Sequence, residues 1–200
     1  LSIAQSTLDD LPLFVLDPYF FAPARARELP HRIQFLLESL AALRNNVAHL
    51  GSALLLAEGK SVDVVPRLAR ELGATRVVAQ RWTEPFGRER DRRVAAALTV
   101  PFELFDGETL AAPETIRNGS GQPFSVFTPF SRALRRQLGD VTPLPAPTAL
   151  PPLPADVRFQ SASLPSLADL AIAENTQLLR GGERAARARL AAFLDGAVAR

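Results

Sequence analysis

Four short apolar runs, separated by three stretches of helical periodicity, constrain residues 11–105 more than any other feature of the chain. Leu11-Pro-Leu-Phe-Val-Leu16 is apolar throughout and ends in Asp17-Pro18, as a buried strand with its exit loop would. Between Arg27 and Leu50, apolar side chains recur at Ile33, Leu36, Leu37, Leu40, Leu43, Val47 and Leu50. That is helical spacing, and Gly51 stands where a C-terminal cap belongs. Ala53-Leu-Leu-Leu-Ala57 predicts a second strand. Ser61 is placed to cap a second helix with Val62, Val65, Leu68, Ala69 and Leu72 inward, Pro66 early enough to be tolerated, and Gly73 beyond its end. Arg76-Val-Val-Ala79 predicts a third strand, residues 88–98 a third helix, and Phe102-Glu-Leu-Phe105 a fourth strand.

Alternation of this kind is what right-handed crossovers on a parallel sheet require. Because helices cover both faces of such a sheet, its strands read as apolar runs and not as alternating ones. The predicted fold class is therefore α/β: an open, Rossmann-like parallel sheet with helices on both faces. With 47% apolar residues in 200, the chain can bury a core of that kind.

Beyond Asp106 the character changes. Asn118-Gly-Ser-Gly121 is turn-rich, and residues 132–138 predict a short basic helix. Residues 143–154 (PLPAPTALPPLP) are half proline and at ~3.1 Å per residue would span about 37 Å as a semi-rigid strap. A last helix starts near Glu183 and is still running at Arg200, so we expect a domain cut short there. The predicted organisation is an α/β domain over 1–130, a linker with its strap over 131–182, and the start of a helical domain over 183–200. The absent initiator Met predicts that the chain is trimmed at its N-terminus as well.

Composition removes several chemistries. The chain has no Cys, so disulfides, thiolate metal sites and cysteine catalysis are excluded. His31 and His49 are too few for a histidine-rich metal site, and no metal ligands or catalytic residues are predicted. No serine sits in a Gly-x-Ser-x-Gly turn, and Asn118-Gly-Ser-Gly121 lacks the spacing of a phosphate loop. No apolar run approaches the ~20 residues of a membrane span, so a protein with no membrane contact is expected. Basic residues are 22 Arg against the single Lys60, yet the net charge is only +2, too little by itself to argue for nucleic-acid binding.

Ligands of open parallel sheets sit beyond the C-terminal strand ends. Two such ends carry chemistry here. Asp17 follows the first run, and Arg81, Trp82 and Glu84 follow the third. A carboxylate, a guanidinium and a flat aromatic would suit a planar heterocycle, bound by its edge and stacked on its face. Packing of Trp82 on its own domain and pairing of Glu84 with a nearby Arg satisfy the same pattern, and spacing leaves the two open.

Several segments, in order, resemble the photolyase/cryptochrome family: Phe14-Val-Leu-Asp-Pro18, Gln34-Phe-Leu-Leu-Glu-Ser-Leu-Ala-Ala-Leu43, Glu84-Pro85 with Arg88-x-Arg-Asp91, and Gly119-Ser-Gly-Gln-Pro-Phe-Ser-Val-Phe-Thr-Pro-Phe130. Gly181-Gly-Glu-Arg-Ala-Ala-x-Ala-Arg-Leu190 is similar to that family's entry into its helical flavin domain, and the strap to its interdomain connection. The resemblance implies the N-terminal α/β domain of a light-driven flavoprotein, with FAD held in a helical domain. The α/β domain would hold an antenna chromophore: methenyltetrahydrofolate, a deazaflavin or a flavin. It implies further that the full-length protein is a cytoplasmic monomer splitting pyrimidine dimers in damaged DNA. Glu84 matches the carboxylate that contacts a folate antenna in some members, whereas Arg81, Trp82 and Asp17 rest on pocket geometry alone. The family's opening strand, which is central in its sheet, and its Trp-Phe-Arg-x-Asp-Leu-Arg segment have no counterpart here. Trp82-Thr83 also replaces the residues more usual before Glu-Pro. The alternatives are a cryptochrome-type photoreceptor that signals without repair, and a stand-alone nucleotide-binding α/β module.

Overall fold

In the computed structural model of the protein, residues 11–107, 109–140, 142 and 144–198 are described. The predicted strands are all present, as β1 (Leu13–Leu16), β2 (Leu55–Glu58), β3 (Val77–Gln80) and β4 (Phe102–Phe105). Between them lie α1 (Pro18–Phe21), α2 (Pro23–Glu28), α3 (Pro30–His49), α4 (Ser61–Glu71) and α5 (Pro85–Ala97). α6 (Phe127–Leu138) and α7 (Glu183–Phe193) follow, the latter running into a π-helical turn at Leu194–Val198. The fold is α/β with parallel pairing. The strands form two two-stranded ladders, β1 with β2 and β3 with β4, in place of one continuous ladder. The strand that the family resemblance puts at the middle of the sheet is not among the described residues, and those that remain pair two by two.

The described residues divide into two compact units, one built on Val65–Ala146, the other on residues 11–64 with 147–198. In the second, Leu16, Phe21, Ala26, Ile33, Leu37, Leu40, Leu54 and Leu56 form one apolar cluster. Leu170 and Ile172 join it, so the chain beyond the strap contributes to this core. The β2 edge facing away from β1 is covered by the same returning chain. Leu56 N donates to Ser161 Oγ at 2.9 Å, and Ala162 N donates to Leu56 O at 2.8 Å. An exposed strand edge invites pairing with other chains, and this contact blocks it.

In the Val65–Ala146 unit the packing is thinner. Leu68, Ala69, Val94 and Ile116 are buried, but Val78 on β3 and Phe105 on β4 are more than half exposed. The inner face of α4 differs from its sequence-based reading. Val64, Leu68 and Ala69 are buried, with Val62 and Val65 only partly so, because the helix begins at Ser61 itself and the i, i+4 stripe falls on Val64 and Leu68.

Candidate functional site

The loop after β3 is fixed from two sides. Arg81 N extends the β3–β4 ladder by donating to Phe105 O at 2.9 Å, and Arg81 Nε meets Asp106 Oδ1 at 3.0 Å. Both partners of that ion pair are nearly half exposed, so it orients the guanidinium more than it stabilises the fold. Glu84 then occupies the N-cap position of α5 in extended conformation, with Pro85 at the first helical position. Its backbone carbonyl accepts from Arg88 N at 3.0 Å, but its side chain makes no capping bond. The Glu84 carboxylate is exposed, beside the positive end of the α5 dipole and with no ion-pair partner among the described residues.

Trp82 is half-buried against α5. Gly87 lets the helix approach the indole so closely that a methyl group there would stand 2.6 Å from Trp82 Cβ and Cε3. The Arg90 guanidinium lies 4.9 Å from the ring centroid, in cation–π contact, while its Nε and Nη2 donate to Asp91 Oδ1 at 2.9 and 2.6 Å. The edge of the Phe86 ring adds a contact at 6.5 Å between centroids. Trp82 therefore packs on its own domain. Gly87, Arg90 and Asp91 escaped the sequence reading as a set. Their i, i+3, i+4 spacing on a helix that follows the tryptophan was the signal for a shared face.

Asp17 lies in the other unit, and its carboxylate is used there. Oδ1 accepts from Tyr19 N at 3.0 Å, and Oδ2 accepts from both Ser61 N and Ser61 Oγ at 2.7 Å. The exit of β1 is thereby tied to the start of α4, and Ser61, expected as the cap of that helix, is instead its first residue, with its N–H and hydroxyl both bonded to Asp17. His31 and His49 are both exposed. His31 Nε2 faces Asn175 Nδ2 at 3.2 Å, and His49 Nδ1 faces Asn45 O at 2.6 Å. Among the described residues no three His, Asp or Glu stand close enough to hold a metal ion, and no helix is long and apolar enough to cross a membrane.

The Glu84-Pro85 motif thus stands at a helix start after the third parallel strand, with the glutamate offered to solvent. A family model described as DNA photolyase matches residues 3–151. The chain belongs to the DNA photolyase family. It is 34% identical to a deoxyribodipyrimidine photo-lyase of Synechococcus sp., over 94% of this chain and 40% of that protein. It is 36% identical to a cryptochrome DASH of Gloeobacter violaceus, over 89% of this chain and 37% of the relative. The solved structure of a Synechocystis cryptochrome shares the fold with a TM-score of 0.77 at 22% identity, covering 92% of this chain and 40% of that one. The chain thus spans about two fifths of the length of these photolyase-family relatives. Family membership sets aside the reading as an unrelated nucleotide-binding module.

Proposed function

We propose that the chain is the antenna-bearing α/β part of a deoxyribodipyrimidine photolyase, a cytoplasmic monomer that splits ultraviolet-induced pyrimidine dimers in DNA. The observation that carries this reading is the family match over residues 3–151, together with curated relatives that bear the photo-lyase name at about the same identity. FAD would supply the electron in such a reaction, and none of the described residues is assigned to hold it. The test is repair by the full-length protein. Blue light should remove cyclobutane dimers from irradiated DNA in the presence of reduced flavin. Light-independent persistence of the dimers would favour a cryptochrome-type photoreceptor that signals without repair, a reading supported by the cryptochrome likeness of the fold.

Glu84 is the residue we propose for the antenna chromophore, a folate, deazaflavin or flavin. Its carboxylate is exposed and uncommitted to capping, so it can accept hydrogen bonds from the N–H edge of a planar heterocycle. Arg81, held by Asp106, would border the ring, and Trp82 would form the floor of the site through its packing on α5 and not as a free stacking face. Glu84→Gln should leave the fold intact and weaken antenna retention about tenfold or more, the worth of one charge-assisted hydrogen bond. Near-ultraviolet absorbance of the purified full-length variant reads this out. Absorbance equal to wild type would remove Glu84 from the site.

A further inference from the structure

α6 is unlike every other charged helix among the described residues. Elsewhere, arginines share their helix with acids: Arg25 with Glu28 on α2, Arg67 with Glu71 on α4, Arg92 and Arg93 with Glu89 on α5, and Arg187 with Glu183 on α7. α6 (FTPFSRALRRQL) carries Arg132, Arg135 and Arg136 and no acid at all. All three are exposed, and none has an ion pair or hydrogen bond among the described residues. Spaced i, i+3 and i+4, they share one face of the helix. The opposite side carries Phe130, Leu134 and Leu138, each half-buried, and Gln137 Nε2 ties the helix back by donating to Thr115 Oγ1 at 3.1 Å. This side is partly covered, although Phe127 on it is 76% exposed, and the arginines are turned to solvent. The negative end of the helix dipole favours cations at 135 and 136, but Arg132 lies beyond that effect.

We infer that the Arg132–Arg135–Arg136 face of α6 binds the phosphate backbone of duplex DNA without regard to sequence or damage. The inference rests on the proposed action on DNA and assigns a part of that contact to the α/β domain. A lipid surface would need a continuous free apolar side, and here Phe130, Leu134 and Leu138 are half-buried, which leaves Phe127 and the preceding Val126 open. A protein partner would need an apolar anchor among the arginines, and that face offers only Thr128 and Pro129 beside them. A polyanion needs neither. The three guanidiniums span ~6 Å along the helix axis, the length over which one strand of a duplex presents about two phosphates. Guanidinium forks match phosphate oxygens two by two.

The test compares the full-length protein with R132Q/R135Q/R136Q and with R132K/R135K/R136K, binding an undamaged duplex over a range of salt. The glutamine variant should lower the slope of log affinity against log salt by about 2–3, and the lysine variant should retain most of it. Circular dichroism and the melting temperature check that both variants fold as wild type does. A wild-type slope in the glutamine variant overturns the inference. So does loss of binding to phosphatidylglycerol vesicles with the DNA slope unchanged, which would make the partner a lipid surface. If the wild-type protein binds no undamaged duplex, this inference falls, while the proposed function is decided separately by repair of irradiated DNA. If the slope changes but blue light repairs nothing, the phosphate contact stands and only the repair reading falls.

Discussion

Replacing Gln34 by leucine will lower the unfolding free energy by about 2–3 kcal/mol, although the two side chains are close in size. Gln34 is only 2% exposed, on α3, and its carboxamide clamps one peptide segment of the returning chain. Oε1 accepts from Asn175 N at 2.9 Å, and Nε2 donates to Asn175 O at 3.1 Å. Nε2 also reaches Glu38 Oε1 at 3.1 Å. Leucine would fill most of the space, so the cavity contribution is small. The cost comes from leaving a backbone N–H and a carbonyl without partners in a partly buried place, which is more than the net worth of the bonds themselves. Denaturant unfolding of the purified chain measures it as a lower midpoint at unchanged slope. A loss below ~0.5 kcal/mol would mean that water replaces the amide, and that the clamp is not what holds residues 170–176 to α3.

That clamp marks where sequence reasoning reaches its end. The four strands were legible because a strand covered on both faces must be apolar, and Leu13–Leu16, Leu55–Glu58, Val77–Gln80 and Phe102–Phe105 fall within the predicted runs or within a residue of them. α6 begins at Phe127, five residues before its predicted start, because Pro129 falls in the first turn, where a helix has no use for the missing N–H. Local pattern fixed these elements. Gln34 sits at the margin of the α3 apolar stripe and nothing nearby announces its burial, since its partner is 141 positions downstream. Long-range polar pairing has no period to read. The site divides in the same way. Glu84 was legible as a motif residue at a strand end, and its exposed carboxylate agrees with a binding role that remains our proposal. At Trp82, Gly87 and Arg90 bring α5 onto the indole, a packing that spacing alone could not show. Asp17 was legible as a carboxylate at a strand end, whereas its bonds from the hydroxyl and amide of Ser61, 44 residues on, were not.

Gly181→Ala should be at least as damaging as the loss of Gln34, at about 3 kcal/mol, and it carries a titration signature that an ordinary packing defect lacks. Gly181 lies so close to α3 that an alanine Cβ would stand 2.5 Å from Phe35 O, 2.7 Å from Ser39 Oγ and 2.8 Å from Ser39 N. Two of those three atoms are backbone, and α3 cannot retreat because Ile33, Leu37 and Leu40 on it belong to the apolar core. The adjoining Gly182, at φ +104°, fixes the path by which the chain enters α7, so the strain cannot be passed along easily. Gly181 N donates to Glu38 Oε2 at 2.8 Å, and this bond is the leading reason that the Glu38 carboxyl titrates below the usual carboxylate range. Burial opposes the shift, while the Gln34 amide and the Arg180 guanidinium add to it. A depressed native value means that the ionised Glu38 stabilises the fold above its unfolded-state pKa of about 4.3, and that this contribution disappears as pH falls through the native value. Pushing Gly181 off α3 breaks the leading bond. In the variant the Glu38 titration point should rise toward the ordinary value, and the loss of stability between neutral and acid pH should shrink accordingly. NMR titration of the Glu38 carboxyl, with denaturation curves at pH 7 and pH 3, checks both consequences. A destabilised variant whose Glu38 titrates as in wild type would show that the contact yields elsewhere and that the chain stays docked on α3.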